Sequence, residues 1–271
     1  MTRAQAEFAL AAAGAQDDAR FPLFEAALAC ALHETPDRDP QHAHGLCAEA
    51  VERLSERLQA LPPEDAVCEA LGADLGLGGD LFTYDDLKNA DLLSVCRRRR
   101  GLPVALGVLM LEVCRRCGLE VAGVDFPAHF LVRIETADGP MALDPFTGGQ
   151  VVMPSDLTRR ALRAGLTPGV VDDLDRLMTA IPDRQVVKRL QNNIFARAIR
   201  SGDFAQAERS ALRRALLDPA DHRPWIDVAA AREAQGRLAG ALEALSKAQA
   251  LDGGAALAAR VARERVRLRL N

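Results

Sequence analysis

Residues 97–149 read RRRRGLPVALGVLMLEVCRRCGLEVAGVDFPAHFLVRIETADGPMALDPFTGG and contain the clearest signals of secondary structure in the chain. The first part predicts a helix over residues 103–117, because Pro103 is tolerated in a first turn, where its missing N–H has no intrahelical partner. Gly118 ends this helix. Since its side chains are apolar on nearly every side, we expect the helix to be central and buried.

The rest of this segment predicts three short strands, at residues 120–125, 130–135 and 141–143. Asp138-Gly139 is the turn signal between the last two. Strands joined by such short connections pair in antiparallel fashion. The segment therefore indicates a helix packed on a small antiparallel sheet.

The chain before this segment is predicted to be wholly helical, beginning with a helix over residues 21–33. A longer helix begins after Asp39-Pro40, where the carboxylate can accept hydrogen bonds from the first free amides. Its apolar face is formed by residues three or four apart: Leu46, Ala50, Leu54, Leu58 and Leu61. A short helix through Val67 and Leu71 then leads into a glycine-rich loop at 76–80.

The last third of the chain has a 34-residue period. The stretch GDFAQA at 202–207 corresponds to GRLAGA at 236–241, and the pair Leu-Asp at 217–218 recurs at 251–252. This is the period of tetratricopeptide helix pairs. Two repeats and a final helix at 255–270 are too few for an extended solenoid, so we expect them to pack on the core. Two roles are open for them: a peptide-binding concave face, or a purely structural extension.

The composition disfavours several classes of function. The 34 basic and 38 acidic residues give a net charge of −4, which argues against a protein that binds nucleic acid mainly through phosphates. Aromatic residues make up 4%, too few for a base-stacking platform. No apolar run approaches the ~20 residues of a membrane span, and no secretory leader is recognisable. We expect a cytoplasmic protein with no membrane partner and with reduced cysteines.

Several short motifs resemble known families. The order of elements in this part of the chain resembles the transglutaminase-like fold of the papain-type thiol enzymes. That order is a buried helix, an R-x-x-G step, a strand, a strand headed by His129 and a strand closed by Asp144. More narrowly, five segments are similar to the SirB-type bacterial family: Tyr84-Asp85, Asn89, RRGLP at 99–103, GVDFPAHF at 123–130, and DPF at 144–146 with Gly148-Gly149. That family joins a transglutaminase-like core to tetratricopeptide-like helices. Its commoner motif has glycine at the position of Ala128.

This resemblance implies a thiol site that lacks its thiol. A cysteine at the start of the central helix would have its thiolate favoured by the helix dipole, with a histidine as base and an aspartate to orient the imidazole. His129 and Asp144 match the last two positions. Counted back from Gly118 without gaps, the nucleophile position falls on Pro103. We therefore expect an inherited His129–Asp144 dyad, and we favour a structural role for it over present catalysis.

Residue spacing sets a condition on this dyad. If Asp138-Gly139 formed a symmetrical two-residue hairpin, His129 would lie opposite Gly148 and not opposite Asp144. Contact between the two side chains therefore requires an asymmetrical or longer loop.

Four consecutive arginines, Arg97, Arg98, Arg99 and Arg100, precede the central helix and are called the arginine run below. They indicate either salt bridges with the acidic segment 80–91 or a site for a phosphate or an acidic partner. We favour the salt bridges. Nucleic-acid binding through this run is disfavoured by the net charge.

Other cysteines and histidines are candidates for a substitute nucleophile or for metal ligands. Cys96 lies in a predicted loop beside the arginine run, which would lower its thiol pKa if the arginines stay close. Cys114 and Cys117 lie at the far end of the helix, where the dipole disfavours a thiolate, and no second C-x-x-C completes a zinc site. His42 and His44 do not share one helical face, so we expect neither a metal nor a cofactor.

We therefore predict a mainly helical α+β protein with three parts. These are a helical N-terminal lobe (1–75), a transglutaminase-like core with a small antiparallel sheet (76–180) and tetratricopeptide-like helical hairpins (181–271). The favoured function is a catalytically impaired or non-enzymatic cytoplasmic module that binds a protein or peptide partner. The alternative is a cysteine-dependent hydrolase or acyl transferase that uses a recruited cysteine, such as Cys96, with His129 and Asp144.

Overall fold

The computed structural model describes residues 1–251 and 262–267. The chain divides into two compact units: unit 1 comprises residues 1–22, 29–38 and 188–271, and unit 2 comprises residues 23–28 and 39–187. The predicted core, 76–180, lies in unit 2. The predicted lobe, 1–75, is shared between both units, because the first helix packs against a helix of the C-terminal part.

Helices form most of the described part of the chain. In chain order they are α1 (Arg3–Gly14), α2 (Leu23–Glu34), α3 (Gln41–Arg57), α4 (Pro63–Cys68), α5 (Leu92–Arg98), α6 (Pro103–Arg116), α7 (Pro154–Arg163), α8 (Pro168–Val171), α9 (Leu174–Leu177), α10 (Asp183–Ser201), α11 (Phe204–Leu217), α12 (Arg223–Ala234) and α13 (Leu238–Leu251). Short 3₁₀ turns occur at Asp18–Arg20, Leu87–Asn89 and Pro145–Thr147, and a π-helical segment, Glu69–Asp74, continues α4. Within the described ranges, no helix is both long enough and apolar enough to cross a lipid bilayer.

The strands form two sheets. In chain order they are β1 (Gly78–Gly79), β2 (Arg100–Gly101), β3 (Val121–Val124), β4 (Leu131–Thr136), β5 (Gly139–Asp144), β6 (Gln150–Val152) and β7 (Ala180–Ile181). The first two pair in parallel, and the other five form an antiparallel sheet in the order β6-β5-β4-β3-β7. The mainly helical α+β class and the small antiparallel sheet are thus confirmed. The two edge strands were not predicted, since each is too short to carry an alternating pattern.

The hairpin between β4 and β5 differs from the prediction by one residue. Thr136 pairs with Gly139, so the two-residue loop is Ala137-Asp138 and not Asp138-Gly139. The Thr136 side chain determines this position: its hydroxyl donates to the Gly139 carbonyl at 2.7 Å and accepts from the Asp138 amide at 3.3 Å. The expectation of an asymmetrical or longer loop is therefore wrong.

Helix α6 is the central element of unit 2, and it begins at Pro103 as the sequence predicts. It packs against β3 and β4 as well as α3. Gly107 permits this approach, because a Cβ at that position would lie 2.3 Å from the ring of Phe130. A separate apolar cluster joins strand residues such as Leu131 and Ala142 to Leu157 of α7.

In unit 1, successive helices α11, α12 and α13 pack against one another. Helices α11 and α13 begin 34 residues apart and also end 34 residues apart. Gly202 and Gly236, which precede them, both adopt a φ of 74°. The predicted final helix lies partly outside the described residues; residues 262–267 are helical.

Unit 1 also contains a buried cluster of charged side chains. Arg213 is fully buried and donates to a carboxylate oxygen of Glu34 at 2.6 Å, and Arg209 donates to the other oxygen at 2.6 Å. The His33 ring lies 3.3 Å from Arg213 and 3.1 Å from Glu7. Burial and the positive charge of Arg213 lower the pKa of His33 to about 4, although the Glu7 carboxylate opposes this shift. His33 is therefore a neutral side chain in the folded protein at neutral pH.

Candidate active site

The His129 and Asp144 side chains are in direct contact. The His129 Nε2 atom lies 2.8 Å from the Asp144 Oδ1 atom. Asp144 is the last residue of β5, and His129 precedes the first residue of β4 by two positions. The hairpin register places these ends side by side, because Val132 pairs with Leu143. The contact therefore arises between a strand end and a turn, and the two residues do not face each other across the ladder.

Asp144 accepts hydrogen bonds from three groups. Besides His129, the Phe146 amide donates to Oδ1 at 2.9 Å, and Arg160 of α7 donates to Oδ2 at 2.8 Å. Burial by itself raises the pKa of the Asp144 carboxyl, but the hydrogen bonds and charges of His129 and Arg160 outweigh it. Its pKa consequently lies below the usual range, and the group is a carboxylate at neutral pH.

A tight turn positions the His129 side chain. The His129 amide donates to the Phe126 carbonyl at 2.9 Å, which closes a four-residue turn. Ala128, its third residue, has a φ of 58°, in the left-handed region that strains any residue with a Cβ. The positive φ explains why glycine suits this position in the SirB-type family that the motif resembles. In this chain, the alanine maintains the turn at some conformational cost.

The expected nucleophile position lies in the first turn of α6. Pro103 is the first residue of the helix and is buried. Gly107, one turn further along the same helix face, contacts the ring of Phe130, the residue next to His129. The side chain at Pro103 is a saturated ring that can neither attack a carbonyl carbon nor hold a proton.

Cys96 does not have the environment that was expected of it. It lies within α5 rather than in a loop, and it is fully buried. Burial raises the pKa of the Cys96 thiol to about 12, with further increases from Cys47 and Asp91. The expected lowering of this pKa required the arginines to stay close to the thiol, and they are not among the causes of the shift; Arg98 donates to Asp80 and Arg99 to the Leu75 carbonyl instead.

Other cysteines share this apolar environment. Burial raises the pKa of the Cys30 and Cys114 thiols to about 12 and that of Cys47 to about 11. Cys117, the C-cap of α6, has its sulfur 3.5 Å from the Ser55 hydroxyl. At Cys30, Cys47 and Cys114 the neutral thiol is favoured over the thiolate that a nucleophile requires.

The arginine run mainly forms contacts within unit 2. Arg98 donates to Asp80 at 2.7 Å and to the Asn89 side chain at 2.9 Å. Arg99 donates to the Leu75 carbonyl at 3.0 Å, and Arg100 donates to the Gly76 carbonyl. Only Arg97 and Arg100 of the run are exposed. Of the two expected roles, the contacts of Arg98 match the salt bridge with the acidic segment.

Two parts of this region are not predicted by the sequence. Arg160 is one of several arginines on an exposed helix, so no local pattern distinguishes it as a partner of Asp144. Helix α5 had a recognisable start signal, because the Asp91 side chain accepts from the Ser94 amide at 2.7 Å as an N-cap.

Two further features bear on possible ligands. A cavity of about 620 Å³ lies beside β5, β6 and α7, and its lining includes Arg133, Leu157 and three methionines. Within residues 1–251 and 262–267, no group of three or more His, Cys, Asp or Glu side chains is placed to hold a metal ion. His44 lies 3.6 Å from the Glu25 carboxylate.

Comparisons with known proteins agree with this architecture. A family model described as the transglutaminase-like superfamily matches residues 41–192. A UPF0162 protein of Xylella fastidiosa is 33% identical over 237 residues, which cover 85% of this chain and 84% of that protein. A UPF0162 protein of Pseudomonas aeruginosa is 31% identical over 210 residues, 74% of each chain.

A shorter similarity extends to a eukaryotic protein. F-box only protein 21 of Homo sapiens is 33% identical over 69 residues, 26% of this chain and 11% of that protein. No solved structure matches the chain significantly. The family model and the long bacterial matches together show that the chain belongs to the transglutaminase-like superfamily and, within it, to the UPF0162 family of bacterial proteins.

Proposed function

We propose that this protein is a catalytically impaired, non-enzymatic member of its superfamily that acts as a protein-interaction module in the cytoplasm. The observation that carries the proposal is the buried Pro103 in the first turn of α6, the position that the resemblance assigns to the nucleophile. The raised thiol pKa of Cys96 supports the same view, because it removes the best substitute. The His129–Asp144 pair then holds the turn, the strand end and α7 together.

The interaction role draws on the C-terminal helices. Their 34-residue period and their glycines at a φ of 74° are features of tetratricopeptide-like pairs, as in the SirB-type family that the motifs resemble. Helix pairs of this kind present surfaces for extended peptides or helices. We propose that the partner is a protein or peptide and that no cofactor or metal takes part.

An acyl-transfer assay tests the non-enzymatic part of the proposal. The purified full chain is incubated with p-nitrophenyl acetate and, separately, with a glutamine-donor protein and dansylcadaverine. We expect the rates of the wild type and of His129→Ala to be equal, because no thiolate is present for the imidazole to activate. A wild-type turnover that His129→Ala abolishes would refute the proposal.

The variant Pro103→Cys is the matched positive control. A thiol placed at the start of α6 gains the favourable helix dipole, which stabilises its thiolate. We expect this variant to be acylated faster than the wild type, and the double variant with His129→Ala to lose the gain. If Pro103→Cys is acylated no faster than the wild type, Pro103 does not occupy the nucleophile position, and the observation on which the proposal rests is lost.

A further inference from the structure

An apolar loop of unit 2 is exposed to solvent beside the candidate site. Phe82 is 98% exposed and Leu81 is 78% exposed, and Tyr84 follows at 47%. The Tyr84 ring contacts the ring of Phe146, two residues after Asp144, with the ring centroids 5.9 Å apart. A phenylalanine side chain that is almost completely exposed contributes no burial to the fold, and adjacent exposed apolar side chains on a soluble protein mark binding surfaces.

The backbone of this loop is held firmly although its side chains are exposed. The Asp80 carboxylate accepts from the Phe82 amide at 3.1 Å, the Thr83 amide at 2.9 Å and the Thr83 hydroxyl at 2.6 Å. Arg98 donates to the same carboxylate at 2.7 Å, and the fully buried Asn89 donates to the Thr83 carbonyl at 2.6 Å. A loop fixed in this way loses little conformational entropy when it binds. Arg98 of the arginine run thus supports the loop.

The charges beside the loop indicate what it binds. Asp85 is exposed, and Asp86, whose side chain accepts from the Lys88 amide at 2.9 Å, follows it directly; with the exposed Lys88 (two negative charges and one positive), residues 85–88 carry a net charge of −1. An anionic membrane surface would repel these carboxylates, whereas a socket edged with lysine or arginine would complement them. An aromatic anchor with a charged border is typical of the centre and rim of a protein interface.

We infer that the loop of residues 81–86 is a docking site for a protein partner, and that Phe82 enters an apolar socket with a basic rim on that partner. This inference rests on the proposed interaction role and assigns it to a surface separate from the C-terminal helices. Phe82 is the anchor, Leu81 and Tyr84 extend the apolar contact, and the two aspartates set the partner's charge.

The first experiment identifies the partner by photo-crosslinking in the native cells. The photoreactive amino acid p-benzoylphenylalanine is introduced in the full chain at Phe82, at Phe8 or at Ser246. Phe8 is a matched control, because it is 78% exposed in unit 1, and Ser246 reports the exposed side of α13. We expect a single protein adduct from position 82 that is absent from position 8.

The second experiment measures binding of that protein after purification. We expect Phe82→Ser to weaken binding about 30-fold, which corresponds to an anchor worth about 2 kcal/mol, while Phe8→Ser leaves it unchanged. Asp85→Asn with Asp86→Asn should weaken binding at low salt and reduce its salt dependence. Equal effects of Phe82→Ser and Phe8→Ser would overturn the inference, as would identical salt dependence in the aspartate variant.

Other occupants of the loop would also overturn the inference. One is a second copy of this chain, which a self-adduct from position 82 and loss of dimerisation in Phe82→Ser would show. Another is a lipid surface, which sedimentation with phosphatidylcholine or phosphatidylglycerol vesicles that requires Phe82 would show. A protein adduct from Ser246 alone would overturn this docking site and leave the interaction role intact. Adducts from none of the positions would count against both.

Discussion

The most informative perturbation of the site is Asp144→Ala, because this carboxylate joins three parts of unit 2. It accepts from His129 on the turn, from the Phe146 amide and from Arg160 of α7, all at 2.8–2.9 Å. A neutral hydrogen bond contributes about 1 kcal/mol net and a charge-assisted one about 1.5–3 kcal/mol. Arg160 is 35% exposed and regains water when the carboxylate is removed, so its contribution falls at the low end. We expect a loss of about 3 kcal/mol in the free energy of unfolding.

Urea titration followed by circular dichroism at 222 nm measures this loss. Glu52→Ala, which removes an exposed carboxylate from α3, is the control and should change stability by less than about 0.5 kcal/mol. Hydrogen exchange adds a local measurement, because the Phe146 amide loses its acceptor in Asp144→Ala and should exchange faster. A change in stability no larger than that of Glu52→Ala would refute the structural role of Asp144.

The same carboxylate gives stability a defined dependence on pH. Its pKa is lower in the folded protein than in the unfolded chain, where the value is about 3.9. The stability that it contributes is therefore complete above that unfolded value and is lost as the pH falls through the folded pKa. In Asp144→Ala this acid-dependent component should be absent, which a comparison of urea midpoints between pH 5 and pH 3 would detect.

Other residues test the packing and the electrostatics independently. Ala128→Gly should raise stability by about 1 kcal/mol in the urea titration, because glycine adopts a φ of 58° without Cβ strain; an unchanged or lower stability would count against that strain. Gly107→Ala should lower it by about 1–3 kcal/mol, since the new Cβ would lie 2.3 Å from the Phe130 ring, and an unchanged melting temperature would contradict this packing. Stability should also decrease by up to about 1.4 kcal/mol per pH unit as the pH falls from 6.5 to about 4, because the unfolded chain takes up a proton that buried His33 does not. His33→Gln should flatten this slope, and an equal slope in both proteins would exclude His33 as its source.

Local chemistry accounts for what the sequence predicted well. Helix α6 extends over 103–116 against an expected 103–117, because proline in a first turn and Gly118, with a φ of 79°, act on their immediate neighbours. The three central strands were located within two residues, since apolar and β-branched residues dominate them. The contact between His129 and Asp144 was anticipated only through the family resemblance, not through residue spacing.

Tertiary contacts account for what the sequence did not predict. The loop Ala137-Asp138 is set by a side-chain hydrogen bond of Thr136, which competes with a conventional Asp-Gly turn signal. β7 consists of two residues that pair with β3 nearly sixty residues earlier in the chain. The burial of Cys96 depends on elements distant in sequence, so its thiol pKa could not be inferred from the arginines beside it.

The central claim is that this transglutaminase-like site has lost its nucleophile. The most direct test is the rate of iodoacetamide labelling at each of the six cysteines from pH 5 to pH 9, in the wild type and in His129→Ala, with sites resolved by mass spectrometry. We predict that no cysteine of the native protein reacts faster than a free thiol and that His129→Ala leaves every rate unchanged. One cysteine that reacts rapidly below pH 7 and loses this reactivity in His129→Ala would contradict the claim.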